Sequence, residues 1–287
     1  MVSRRTPARH VFPDQTASET PRVASAPSIE SAIPGQGPVI VMTAALAEAS
    51  AVARAFRLSA PESEWKQATL EGRWSLVRCG VGKSNAAMCV ARGLRGMDEP
   101  GAVVLNLGIC GVLPAESNSH HPMPAPQVGS VVVAEASVYA DEGVQTPDGF
   151  QDMAGLGFPY WAGAKGGASC MSVVAEGGLV ERVASKLAER VGASVHVGRI
   201  ATVSTCSGTN ALAREIAART GAIAEGMEGA AVGHAVARCA EGGRQIDFLE
   251  VRVVSNTTGD RGKQVWDIKG ALTTLTRVAE ALRGAPA

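Results

Sequence analysis

Aromatic residues are scarce in this chain of 287 residues, at 4% of the composition, so a stretch that gathers them stands out. Net charge is absent as well: 27 basic side chains balance 27 acidic ones, and no basic face is sustained along the sequence. That balance removes the electrostatic footprint of a nucleic-acid binder. No apolar run approaches the roughly 18 residues that a membrane-spanning helix requires, and residues 1–36 hold no apolar stretch of a secretory leader. Six cysteines occur, at 79, 89, 110, 170, 206 and 239, without a CxxC pair or a Cys/His metal spacing. They are expected as reduced core thiols of a cytoplasmic protein. No membrane, nucleic acid, metal or organic cofactor is expected.

What the chain does have is a regular alternation of short apolar runs and helical patterns. Val39–Ala44 is continuously apolar or small behind Gly37-Pro38, as suits a buried parallel strand. Ala102–Leu107, Val131–Ala134, Val195–Val203 and Asp247–Ser255 read as further strands, and Gln67–Arg78 as two strands turning at Glu71-Gly72. Helical spacing covers Leu46–Leu58, Asn85–Leu94, Leu179–Val191, Asn210–Thr220, a small-residue segment from Met227, and Leu272–Leu282. The expectation is an α/β fold: a single three-layer domain over residues 37–287 with a central twisted mixed, mainly parallel sheet. Residues 1–36 are expected to be a disordered extension.

The chemistry-bearing residues gather where strands end, which is where open α/β sheets bind ligands. Glu48 opens a helix just after the first strand, and Glu228 lies in Gly226-Met227-Glu228-Gly229, ahead of a run of small residues. Either glutamate could serve only the helix dipole, a contribution of a few tenths of a kcal/mol. A helix of small residues pressed on a sheet, however, makes an unpartnered carboxylate at Glu228 costly. Gly108-Ile109-Cys110-Gly111 permits close backbone approach to a ligand. Gly82-Lys83-Ser84 invites a phosphate-loop reading, but the motif requires glycine where Val77 stands. His120 and His121 sit in a Pro-rich surface insertion, Ser117–Gln127, with no third ligand. The Gly/Pro-rich interval Tyr139–Gly167 carries Phe150, Phe158, Tyr160 and Trp161 and is either a ligand cover or a satellite hydrophobic cluster. His234 is expected to be a satisfied buried histidine. Arg252 and Arg261 are either anion contacts or surface ion pairs, with surface pairing the expectation for each.

Five segments in order resemble the purine nucleoside phosphorylase and nucleosidase superfamily, and within it the futalosine hydrolase family. They are Thr43-Ala44 with Glu48, Leu105–Gly111, Ser204–Thr209, Gly226–Gly229, and Val251–Asn256 followed by Trp266-Asp267-Ile268. The resemblance implies a hydrolase of the N-glycosidic bond of futalosine that works in menaquinone biosynthesis without a cofactor. It also implies a homo-oligomer with a small-molecule nucleoside as substrate. Glu48 would orient the attacking water, Glu228 would hold the ribose hydroxyls, and Met227 would pack beside the sugar. Asn256 replaces the aspartate that adenine-specific nucleosidases place at N7; its amide both donates and accepts, which suits a 6-oxopurine. Ile109, Cys110 and Gly111 would line the substrate site, and Thr205 and Cys206 would contact the base. Trp266 would either cover the site or bury against the last helix. Alternatives are another purine nucleosidase, a purine nucleoside phosphorylase acting on inosine or methylthioadenosine, or a nucleoside-binding protein without catalysis.

Overall fold

The structure, a computed structural model, describes residues 31–97, 99–115, 125–160 and 172–284. Eleven strands and six helices fill that range: β1 (Val39–Thr43), α1 (Leu46–Ala55), β2 (Ala68–Glu71), β3 (Trp74–Arg78), α2 (Lys83–Gly93), β4 (Ala102–Val112) and β5 (Val131–Tyr139). After them come β6 (Gly143–Thr146), β7 (Gly149–Asp152), β8 (Ser172–Val174), α3 (Gly177–Arg190), β9 (Val195–Thr202), α4 (Asn210–Thr220), β10 (Ala222–Gly226), α5 (Gly229–Ala240), β11 (Ile246–Thr257) and α6 (Ile268–Arg283).

One mixed sheet carries the strand order β10-β9-β5-β11-β4-β1-β3-β2, with β8 added beside β5. Its central pairings β3-β1-β4-β11 are parallel. β5 runs antiparallel to β11, and β10 returns antiparallel to β4 as well as pairing β9. Five strands, β4-β11-β5-β9-β10, therefore close a ring at one end of an otherwise open sheet. The closure is what draws the C-terminal ends of β4, β10 and β11 around one space.

Helices cover both faces. α1, α3 and α6 bury Val52, Leu179, Leu187, Leu275 and Leu282 against Leu76, Leu105 and Leu249. Each such leucine contributes about 1.5–3 kcal/mol on burial. α2 and α5 form the other layer, over Ile40, Met42, Val104 and Phe248. The small residues of α5 serve this packing directly, since a Cβ on Gly233 would stand 2.7 Å from the Phe248 ring. Capping follows the local sequence. Thr209 accepts from Leu212 N–H at the start of α4, and Gly221, with a left-handed φ of 66°, ends it.

Several boundaries differ from the sequence expectation: β4 runs on to Val112 rather than Leu107, β5 to Tyr139 rather than Ala134, and α6 begins at Ile268 rather than Leu272. Residues 31–36 are not a free extension: Ala32 and Ile33 are buried in the core, and Ser31 Oγ donates to the Leu282 carbonyl at 2.8 Å. α1 stops at Ala55 rather than Leu58 because Arg57 takes a left-handed φ of 58°. α2 starts at Lys83 rather than Asn85, directly after Gly82 at φ 96°. Residues 1–30, most of the insertion with His120 and His121, Trp161 with the following segment, and Cys170 lie outside the described residues. Among the described residues no helix is long and apolar enough to cross a membrane.

Candidate active site

A cavity of about 520 Å³ opens at the carboxyl ends of β4, β10 and β11, within the range of small-molecule pockets. At its floor lies a charged cluster built by strand alternation. Glu250 and Arg252, two residues apart on β11, point to the same side of the sheet, and Arg252 Nε donates to Glu250 Oε1 at 2.8 Å. From the same guanidinium Nη2 donates to Glu228 Oε2 at 3.1 Å. Glu250 is fixed from behind by Ser137 Oγ at 2.5 Å. Arg252 is 1% exposed and Glu250 0%, so the expectation of surface pairing for Arg252 is corrected. Burial works against its charge, but Glu250, Glu228 and Glu48 outweigh that and hold the guanidinium protonated beyond its ordinary range.

Glu48 enters from the other side. It lies in the first turn of α1, where Oε2 accepts from the N–H groups of Ala44 (3.1 Å) and Ala45 (2.9 Å). Oε1 accepts from Ile109 N–H at 2.9 Å. Burial pushes its carboxyl above the ordinary 4.5, although Arg252 and the Ala45 and Ile109 amides pull the other way. Gly108 is required here, because a Cβ would stand 2.5 Å from both Arg252 Nη1 and Glu48 Oε1. Glu228 occupies the N-cap position of α5 rather than its first turn. Its side chain leaves the helix end alone and accepts from Gly82 N–H at 3.0 Å, tying the Gly80–Lys83 loop to the cavity.

The neighbouring wall is more neutral. Asn256 Oδ1 accepts from Ser255 Oγ at 2.8 Å, and Nδ2 donates to the Thr257 carbonyl at 3.0 Å. That leaves one amide hydrogen for a ligand. Glu225, on β10, also lines the cavity. It accepts from Ser207 N–H at 2.9 Å and from Ser207 Oγ at 2.5 Å. Burial raises its carboxyl above the ordinary value, against the pull of those two bonds.

At the mouth, Lys83 pairs with Asp141 and, at 3.1 Å, with Glu142. A lysine so engaged leaves no phosphate-loop role for Gly82-Lys83-Ser84. Trp266 lines the cavity, 42% exposed, with the Arg261 guanidinium 4.7 Å from its ring centroid. It therefore covers the site rather than burying against α6. Tyr160 packs at a tilt on Tyr139 and His234, with centroids 4.8 and 4.9 Å apart; this part of the aromatic interval joins the core layer under α2 and α5 rather than forming a separate cluster. His234 meets Tyr139 Oη at 3.3 Å.

Glu48, Glu228, Asn256, Ile109, Cys110, Gly111, Cys206, Met227 and Trp266 all line the one cavity. Thr205 is not brought to it: its N–H donates to Asp141 Oδ2 at 3.1 Å, which holds this exposed residue at the mouth. Sequence reasoning missed Glu225, Ser207, Gln264 and the buried position of Arg252. The signal for Arg252 was present in Leu249-Glu250-Val251-Arg252-Val253, where opposite charges two apart in an apolar strand share one buried face. Among the described residues no group of three or more His, Cys, Asp or Glu side chains is placed so that it could hold a metal ion.

Known proteins share this architecture. The 5′-methylthioadenosine/S-adenosylhomocysteine nucleosidase of Neisseria meningitidis, solved with methylthio-immucillin-A, aligns with a TM-score of 0.62 at 22% identity, over 86% of this chain and 98% of its own. The Helicobacter pylori nucleosidase aligns with a TM-score of 0.60 at 15% identity, over 87% and 98%. At these identities the likeness concerns the fold. Closer in sequence, the futalosine hydrolase of Streptomyces coelicolor is 35% identical over 83% of this chain and 92% of its own length. That of Thermus thermophilus is 32% identical over 71% and 78%. A family model described as the phosphorylase superfamily matches residues 38–285. The chain thus belongs to the phosphorylase superfamily and, within it, to the futalosine hydrolases.

Proposed function

We propose that this protein hydrolyses the N-glycosidic bond of futalosine, giving hypoxanthine and dehypoxanthine futalosine, a step of menaquinone biosynthesis. The observation that carries the choice of water over phosphate is the charge around Arg252. Its guanidinium is bonded to Glu228 and Glu250, with Glu48 close by, so among the described residues no free cation waits at the floor for a phosphate dianion. Arg261, the other basic residue lining the cavity, lies on Trp266 at the rim.

The same excess of carboxylate suits the reaction. As the C1′–N9 bond breaks, its electron pair leaves with the base and positive charge develops on the ribose, where anionic groups stabilise it. Glu48, held by three backbone N–H groups, orients water and takes its proton as oxygen bonds to C1′. Glu228 accepts from the ribose hydroxyls, with Met227 against the sugar. The free amide hydrogen of Asn256 meets the departing base at N7. An amide has no proton to give, so the base receives its proton from water. The proposal has the enzyme working in the cytoplasm as a homo-oligomer, with Ile109, Cys110, Gly111 and Cys206 walling the substrate and Thr205 outside.

The test is chromatography of the purified protein incubated with futalosine, inosine and methylthioadenosine, each with and without phosphate. Hypoxanthine from futalosine alone, indifferent to phosphate, is the expected result. Phosphate-dependent cleavage of inosine would establish the phosphorylase alternative instead.

A further inference from the structure

Glu225 is a buried carboxylate on the cavity wall that the hydrolytic chemistry does not use. Strand register fixes its place. On β10 it pairs with Gly111 of β4, and Gly111 pairs on its other side with Asn256 of β11. The three residues stand in a row across adjacent strands, which puts Glu225 and Asn256 roughly 10 Å apart at the backbone. Both side chains lean toward the glycine between them: a Cβ on Gly111 would lie 2.8 Å from the Thr258 methyl, 3.2 Å from Asn256 Nδ2 and 3.5 Å from Glu225 Cγ. With no Cβ, Gly111 leaves room for the Thr258 methyl and keeps the Asn256 amide and the Glu225 carboxylate on either side of it at the cavity wall. Ser207 supports that carboxylate with two hydrogen bonds, one to each oxygen, and each oxygen keeps acceptor capacity for a ligand.

One edge of a 6-oxopurine presents, in order, the N1–H donor, the O6 acceptor and the N7 acceptor. We infer that Glu225 accepts a hydrogen bond from N1–H and so sets the preference for a 6-oxopurine over a 6-aminopurine, with Asn256 serving the O6/N7 end. In a 6-aminopurine N1 carries a lone pair and no hydrogen, so it faces the carboxylate without a bond. A buried acceptor left without its donor discriminates strongly. This inference rests on the nucleosidase reading above.

Two measurements test it. In the unaltered enzyme, hypoxanthine should inhibit at least about tenfold more tightly than 1-methylhypoxanthine or adenine. Equal inhibition by hypoxanthine and 1-methylhypoxanthine would overturn the role of N1–H. In Glu225→Gln, whose amide can serve as donor or acceptor, the ratio of kcat/KM for futalosine over its 6-amino analogue should fall by about 10–100-fold. An unchanged ratio in a folded variant would sink the assignment while leaving the hydrolase reading intact. If the unaltered enzyme releases no base from futalosine, the hydrolase reading itself fails and this inference with it.

Discussion

Arg252 and Glu228, 24 residues apart in sequence, form an ion pair at 3.1 Å in which both side chains are at most 4% exposed. Such a pair is held by its surroundings, because each charge alone would be costly to bury.

Removing the cation should therefore do more harm than its two bonds suggest. Arg252→Met leaves Glu48, Glu228 and Glu250 buried together and should cost about 3–5 kcal/mol at neutral pH. The deserted carboxylates would bind protons more tightly folded than unfolded, so the deficit should shrink as pH falls and grow as it rises. Urea unfolding of parent and variant at pH 5 and pH 7 reads this out; a deficit independent of pH would argue against charge as the cause.

In the proposed reaction Glu48 acts in its ionised form, and burial pushes its carboxyl above the ordinary 4.5. The kcat/KM profile of the parent should accordingly fall on acidification through an ionisation above that value. Glu48→Gln should lose this acid limb and about 10²–10⁴-fold in kcat, with hypoxanthine binding retained. Steady-state rates across pH, with calorimetric titration of the base, decide it.

The diol contact proposed for Glu228 predicts a pattern across substrates. The parent should cleave futalosine much faster than its 2′-deoxy analogue, whereas Glu228→Ala should treat the two nearly alike, at a rate low for both. Retained discrimination in the variant would place the contact elsewhere.

Ile33 is 2% exposed in the core, so Ile33→Ala should destabilise by about 2–5 kcal/mol and lower the thermal midpoint. Deletion through residue 34 should do at least as much. A truncation at 34 with unaltered stability would show that this segment packs without contributing.

Much of this was legible in the sequence. Apolar runs gave the strands because buried parallel strands need no alternation, and Glu48, Glu228 and Asn256, which stand near the ends of such runs, all line the one cavity. Residues whose place depends on distant pairing were harder to read. Nothing local marks Glu225; its place depends on β10 closing on Gly111, more than 100 residues away in sequence. Arg252 was expected at the surface because the pairing partners of β11, which bury it, come from elsewhere in the chain. Thr205 was placed in the pocket by its neighbours, yet Asp141 captures its N–H. Ile33 sits among polar and proline residues, and its burial against α6 left no local pattern.

The ring closed by β10 has a bearing on folding as well. Glu48 is translated early, but Glu225 and Asn256 meet Gly111 only after β10 and β11 have reached β4. These are non-local pairings of the kind that slow folding. A nascent chain can form its first strands and α1 long before it has a base pocket. Native-state hydrogen exchange should then find the amides of β1 and β3 among the slowest to exchange, with those joining β10 to β4 opening earlier.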